Sequence, residues 1–189
     1  MDRHPLVKKV LVDKVEIDSK IDSLANEVNS YYKNKKVKDN TVVIIGLLKG
    51  CIPFMASLIK KFDFQCVIDF MIVSSYGGTL TNIHEPKILH NINTDIKDAD
   101  VLIVEDIIDT GITLNFMKDY LEKKGAKEVK VITLASKPNK LKTNIKPDWN
   151  GFEFGDEFLI GYGLDYQERF RNLPYIAICD TDKLNDWEW

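Results

Sequence analysis

Arginine is scarce in this sequence: Arg3, Arg169 and Arg171 are the only three among 26 basic residues, so lysine carries nearly all the positive charge. A basic excess is missing too. The formal net charge is −3 and the isoelectric point lies near 5.7, whereas nucleic-acid binders carry a basic face, so no nucleic-acid partner is expected. No apolar run is long enough to span a bilayer. The amino terminus MDRHPLVKKVLVDKVEI scatters charges where a signal peptide needs an unbroken apolar segment, which leaves a cytosolic location and no membrane partner as the expectation. Cysteine is limited to Cys51, Cys66 and Cys179, an odd number without CxxC or Cys/His spacing, and this argues for buried reduced thiols. His4, His84 and His90 share no metal-ligand spacing and are read as non-catalytic. The phosphate loops GxxxxGK[ST] and GxGxxG are both absent, as are repeats and low-complexity tracts.

What remains is an ordinary globular composition, 189 residues with 44% hydrophobic and 29% charged side chains, enough to bury a core without disulfide or metal staples. Short strand character around Val10 to Val15 precedes a helix that Asp18 can cap, with Ile21, Leu24, Ala25, Val28 and Tyr32 at helical spacing. TVVIIG (41–46) reads as a buried strand, followed by LLKGC and a helix in which Pro53 suits the first turn and Met55, Leu58, Ile59 and Phe62 share a face. CVIDFMIVSSY (66–76) and KILHNI (87–92) read as strands around the polar loop GGTLTNIHEP. VLIVEDII (101–108) and VKVITLAS (129–136) are buried strands flanking a helix from about Thr113 to Lys124 that Gly125 stops. FLIGYGLDYQERFRNLPYIAICD (158–180) supplies two short strands around a polar, aromatic segment. Strands alternating with helices predict an α/β domain with a mostly parallel sheet covered by helices.

The stretch VLIVEDIIDTGITL places Glu105, Asp106 and Asp109 at the exit of a buried strand. In open α/β sheets ligands bind beyond the carboxyl ends of strands. The helix that follows begins near Gly111 to Thr113, where unpaired amides and the positive end of the dipole favour an anion. Gly111 lets the backbone approach a phosphate closely, and the Thr110 and Thr113 hydroxyls add donors. A phosphate would repel the carboxylates, so they need another partner, and adjacent sugar hydroxyls fit. Phosphate plus ribose predicts a phosphosugar ligand. The competing reading makes Asp109 or Thr110 a helix cap and Glu105-Asp106 a solvated turn, but it leaves like charges crowded at a buried strand end without compensation.

These residues resemble the phosphoribosyl-pyrophosphate (PRPP) loop of the type I phosphoribosyltransferases, and most closely that of the hypoxanthine-guanine group. The resemblance extends through LKGC, SSYGG, the lysine of ASKP and GYGLDYQERFRNLP, over most of the chain. It implies a single domain over 1–189, with a core at about 37–140 and a small hood from about 1–16 and 141–189. It further implies that Glu105 and Asp106 hold the ribose hydroxyls and that the amides from Asp109 to Thr113, through Thr110, Gly111 and Ile112, bind the 5′-phosphate. Ile112 stands where several relatives carry a basic residue, so phosphate binding here leans on amides and hydroxyls. Asp109 would meet purine N7 as general base or proton holder. Lys49 and Gly50 of LKGC would form the pyrophosphate loop, with a non-proline cis bond between Leu48 and Lys49, and Arg171 would add a pyrophosphate contact.

By the same resemblance, Ser75 and Tyr76 belong to a lid that excludes water. Lys137 would donate to the exocyclic oxygen of the base, which would stack on Phe158 and touch the backbone at Leu159, with Asp165 near the base and a magnesium ion. Mg2+ would arrive largely with PRPP and pyrophosphate, near Glu105, Asp106 and Asp165. The implied reaction joins hypoxanthine or guanine to PRPP, giving IMP or GMP and pyrophosphate, in a homodimer or homotetramer. A xanthine-preferring enzyme and a PRPP-sensing regulator without turnover are the alternatives, the regulator disfavoured by the acidic balance and the lack of a helix-turn-helix addition.

Overall fold

A strand that is apolar on both faces needs cover on both sides, and TVVIIGL, VLIVEDII and VKVITLAS all have that pattern. The computed structural model describes residues 4–74, 86–184 and 187–188 and supplies the cover. β1 (Val7–Val12) leads into α1 (Lys14–Tyr32), then β2 (Thr41–Leu47), α2 (Ile52–Leu58), β3 (Gln65–Ser74) and β4 (Lys87–His90). There follow β5 (Asp100–Ile108), α3 (Ile112–Lys123), β6 (Glu128–Ser136), β7 (Trp149–Glu153), β8 (Leu159–Ile160), β9 (Ile176–Cys179) and the short α4 (Thr181–Leu184).

Six strands form one sheet in the order β4-β3-β2-β5-β6-β7, parallel except where β4 returns against β3. The expected α/β class is observed. Alternate residues of the central strands divide between two cores. Val42, Ile44, Leu102, Val104, Ile132 and Leu134 pack with α1 and α2, while Val43, Ile45, Val101, Ile103, Val129 and Val131 pack with Leu114, Met117 and Leu121 of α3. The chain's two terminal regions meet in a second, antiparallel sheet, β1-β9-β8, over a small core of Leu6, Ile160, Phe170, Ala177 and Cys179.

Four local expectations need correction. β1 spans Val7–Val12, and Val15 is exposed inside the helix rather than part of the strand. α1 is capped by Asp13, not Asp18: Asp13 accepts from the Glu16 amide while the Glu16 side chain accepts from the Asp13 amide. Asp18 instead pairs with Lys14 one turn earlier. The apolar face fixes the helix and the cap only its start, because burial is worth about 1.5 kcal/mol or more per large side chain against about 1 kcal/mol for a cap. β7 has no counterpart in the sequence reading; it is a parallel edge strand beside β6. Finally, Cys51 and Cys179 are buried free thiols but Cys66, on β3, is only half-buried.

Candidate active site

Strand order reverses between β2 and β5, since the chain builds outward through β3 on one side and β6 on the other. Such a switch point separates two loops at the carboxyl edge and opens a cleft there. The loop after β2 is Leu48–Cys51, with a cis bond between Leu48 and Lys49 as expected. The loop after β5 runs from Asp109 to Gly111. They touch: a β-carbon on Gly50 would lie 1.7 Å from Asp106 Oδ2, so no side chain fits at that position while Asp106 stays where it is.

Glu105 and Asp106 occupy the last turns of β5, half-buried, with the cores of both sheet faces behind them. Burial raises the Glu105 carboxyl well above its ordinary range, and the neighbouring Asp106 raises it further. Burial also pushes Asp106 up, to about 6, against the pull of the Ile107 amide and of the Arg171 charge. Glu105 Oε2 is withdrawn from solvent and has no hydrogen-bond partner among the described residues. The same pair of charges, with burial as the larger cause, lifts the Cys51 thiol to about 12, so this cysteine is inert at neutral pH.

Gly111 turns the chain into α3 with φ 77°, a left-handed conformation that favours glycine, and among the described residues no side chain caps the helix. The first amides of α3 therefore face the cleft end without a strong partner; the Ile112 amide reaches Thr110 Oγ1 only at 3.5 Å. Thr110, Ile112 and Thr113 are half-buried around this turn, and the Lys142 amide fixes the Thr110 carbonyl at 2.8 Å. Asp109 Oδ1 is buried without a hydrogen bond among the described residues, and Lys140 Nζ lies 3.9 Å from it.

Lys137 is buried, with 5% of its surface exposed. Its amide donates to the Ile108 carbonyl and its Nζ to the Glu157 carbonyl at 2.8 Å. Burial holds its ammonium below the usual lysine range, partly offset by Asp109. Phe158 is 43% exposed and meets Tyr166 edge-on at 5.8 Å, and Leu159 is buried in β8. Asp165 pairs with Arg171 Nη2 at 2.9 Å, and Arg171 Nη1 donates to the Gly163 carbonyl at 2.8 Å.

The structure thus gathers Lys49, Gly50, Glu105, Asp106, Asp109 to Thr113, Lys137, Asp165 and Arg171 around the carboxyl edge, as two touching loops and the segments tied to them. Ser75, Tyr76 and His84 lie outside the described residues. Two charged neighbours were missed in the sequence. Lys140 follows Lys137 by three positions in the same tight turn (Pro138–Lys140), and Glu168 stands midway between Asp165 and Arg171. That i, i+3 spacing is the only signal that could have found them. Among the described residues no three of His, Cys, Asp and Glu converge as a metal-holding group.

A mostly parallel α/β sheet with a capless, glycine-led helix start beside unpaired carboxylates at its switch point is the arrangement of a sugar-phosphate transferase. The sequence pattern of the phosphoribosyl transferase domain matches residues 11–167, and the chain belongs to that family. It is 45% identical over 172 residues to the hypoxanthine-guanine phosphoribosyltransferase of Bacillus subtilis (strain 168), covering 91% of this chain and 93% of that one. It is 42% identical to the enzyme of the same name from Lactococcus lactis subsp. lactis, with 95% and 94% covered. A crystal structure of a hypoxanthine phosphoribosyltransferase from Staphylococcus aureus superposes with a TM-score of 0.88 at 36% identity over 96% of both chains.

Proposed function

We propose that this protein catalyses purine salvage, moving the 5-phosphoribosyl group of PRPP to N9 of hypoxanthine or guanine and giving IMP or GMP and pyrophosphate. The observation that carries the reading is the pair Glu105 and Asp106, half-buried and like-charged, with Glu105 Oε2 unpartnered among the described residues, beside the open amides of α3. Free carboxylates accept from vicinal ribose hydroxyls, and amides without partners donate to a 5′-phosphate, so the two features together describe one phosphosugar.

On this reading the amides and hydroxyls from Thr110 to Thr113 anchor the phosphate end of PRPP. Lys49, the Gly50 amide and Arg171 meet its pyrophosphate end. Lys137 donates to the 6-oxo group of the base, Phe158 offers it an aromatic face, the Leu159 backbone borders it, and Asp165 lies near it. Asp109 holds the N7 proton, its buried oxygen having no other hydrogen bond among the described residues. The carboxylate oxygens at Glu105 and Asp106, hard donors with spare lone pairs, suit a magnesium ion carried in with PRPP; Asp165 is the third such donor. Magnesium would neutralise charge on the leaving pyrophosphate as positive character grows on the ribose. We further infer that the terminal regions, about 1–16 and 141–189, act as a hood over a core at about 37–140, that Ser75 and Tyr76 close over it, and that the enzyme works as a homodimer or homotetramer in the cytosol.

The test is direct. Purified protein is mixed with PRPP, magnesium chloride and hypoxanthine, guanine or xanthine in turn, and nucleotide formation is followed by absorbance. IMP and GMP should form, and chelating the magnesium should stop both. Asp109→Asn should lower kcat by about 10²- to 10⁴-fold. Nucleotide from none of the bases would leave a PRPP-binding regulator in its place, and near-normal turnover by Asp109→Asn would remove the proton-holding role.

A further inference from the structure

Lys49 and Arg171 come to the pyrophosphate end of the cleft from different segments, and one side chain joins them. Glu168 Oε2 lies 3.1 Å from Lys49 Nζ and 3.2 Å from Arg171 Nη2. Lys49 belongs to the loop after β2 and the other two residues to the turn between β8 and β9, so this carboxylate is a bridge across the cleft mouth. The turn is shaped to present it. Gln167, Glu168 and Phe170 adopt φ of 48°, 66° and 75°, a left-handed region that L side chains enter at a cost, and the Glu168 amide is fixed by Asp165 Oδ2 at 2.9 Å. The two cations also hold the Glu168 carboxyl below its ordinary range, Lys49 more than Arg171.

We propose that Glu168 is a placeholder for a pyrophosphate oxygen: it occupies Lys49 and Arg171 in the free protein and yields them when the ligand enters. The inference rests on the functional reading above. Glu168 is 61% exposed, and ion pairs in water are weak, so the bridge opens readily. A pyrophosphate brings several negative charges against one and wins both cations. The same competition works in reverse on the way out, because Glu168 can retake Lys49 and Arg171 as the product leaves. Without it, two positive groups would face each other and any small anion in the medium could settle between them. Asp165 keeps its own contact with Arg171 in either state, so the guanidinium stays aimed when Glu168 lets go.

The experiment is Glu168→Gln, which keeps length and hydrogen-bonding capacity and removes the charge. Magnesium pyrophosphate and IMP are titrated separately into wild type and variant by calorimetry, and KM for each is measured in the reverse reaction. The placeholder predicts that Kd and KM for pyrophosphate fall about threefold to fivefold while those for IMP stay unchanged. Pyrophosphate binding that is equal or weaker in the variant would overturn it, since Glu168 would then organise the cations rather than compete for them. Equal tightening toward IMP would overturn it as well. A wild type that makes IMP but shows no gain in the variant refutes the placeholder alone, whereas a wild type that neither makes IMP nor binds pyrophosphate refutes the functional reading beneath it.

Discussion

Asp100 and Glu105 are carboxylates five positions apart on β5, the first buried whole and the second with Oε2 withdrawn from water, and their surroundings differ completely. Asp100, at the amino end, is fully buried and meets Lys35 Nζ at 2.5 Å and Lys127 Nζ at 3.7 Å. Lys35 also binds Glu128, and although burial works against its charge, Asp100 and Glu128 together hold it above the ordinary lysine range. At the carboxyl end, among the described residues, no ammonium is in contact with Glu105 or Asp106, which have each other and the more distant charge of Arg171. Uncompensated burial costs stability and compensated burial need not. The strand therefore has an end built for holding the fold and an end left open for a ligand, and the same residue type tells them apart only through its neighbours.

The largest effect that would break this comparison belongs to Asp100→Ala. Lys35 would lose a buried counter-charge but keep Glu128, so we expect a loss of about 3 kcal/mol, which for a chain of this size lowers the melting midpoint by roughly 6 to 12 °C. Below that midpoint kcat/KM should match the wild type, because Asp100 lies at the amino end of β5 and the cleft at its carboxyl end. A variant as stable as the wild type but impaired in turnover would mean that the two ends are coupled and the division is false.

The opposite sign is expected at the other end. The Asp106 carboxyl takes up protons more readily folded than unfolded, its affinity raised from 3.8 to about 6. Its contribution to stability is thus fully present below the unfolded value and is lost as pH rises through about 6. Asp106→Asn removes that loss, and with it part of the repulsion on Glu105. Relative to wild type, the variant should gain about 1 to 3 kcal/mol in thermal or urea unfolding between pH 4 and pH 8, while losing most of its turnover. A stability difference that stays flat with pH would show that Asp106 is already compensated.

How much of this was legible beforehand follows from which interactions are local. β2, β5 and β6 could be read from unbroken apolar runs, since a strand buried on both faces has little other sequence to choose from. The PRPP-type loop could be read because Glu105, Asp106, Asp109 and Gly111 fall within one short stretch, 105–111, and are chemically inconsistent with a plain turn. Asp18 has the side chain of a helix cap, but the reciprocal Asp13–Glu16 pair starts the helix five residues earlier. β7 was hidden because WNGFE carries a glycine and follows Pro147, features that ordinarily punctuate a loop; its pairing with β6 is a tertiary fact. Lys35 with Asp100, and Lys49 with Glu168, join residues far apart in the chain and leave no periodic trace. The open end of β5 was therefore visible in sequence and the closed end was not.

The smallest effect sharpens the comparison further, by asking how much of the compensation at Asp100 comes from each lysine. Lys127 is half-exposed, stands 3.7 Å from Asp100 Oδ2 and donates to the Lys36 carbonyl at 3.1 Å, whereas Lys35 is mostly covered and closer. Solvent screens an exposed ammonium, so Lys127→Ala should cost about 0.5 to 1 kcal/mol and leave turnover untouched. Raising the salt concentration should shrink that cost, since screening acts on Lys127 and hardly reaches Lys35. If Lys127→Ala instead destabilised the protein as much as Asp100→Ala, with no dependence on salt, compensation at this end would be shared evenly. Asp100 would then owe its burial to a two-lysine clamp rather than to Lys35 alone.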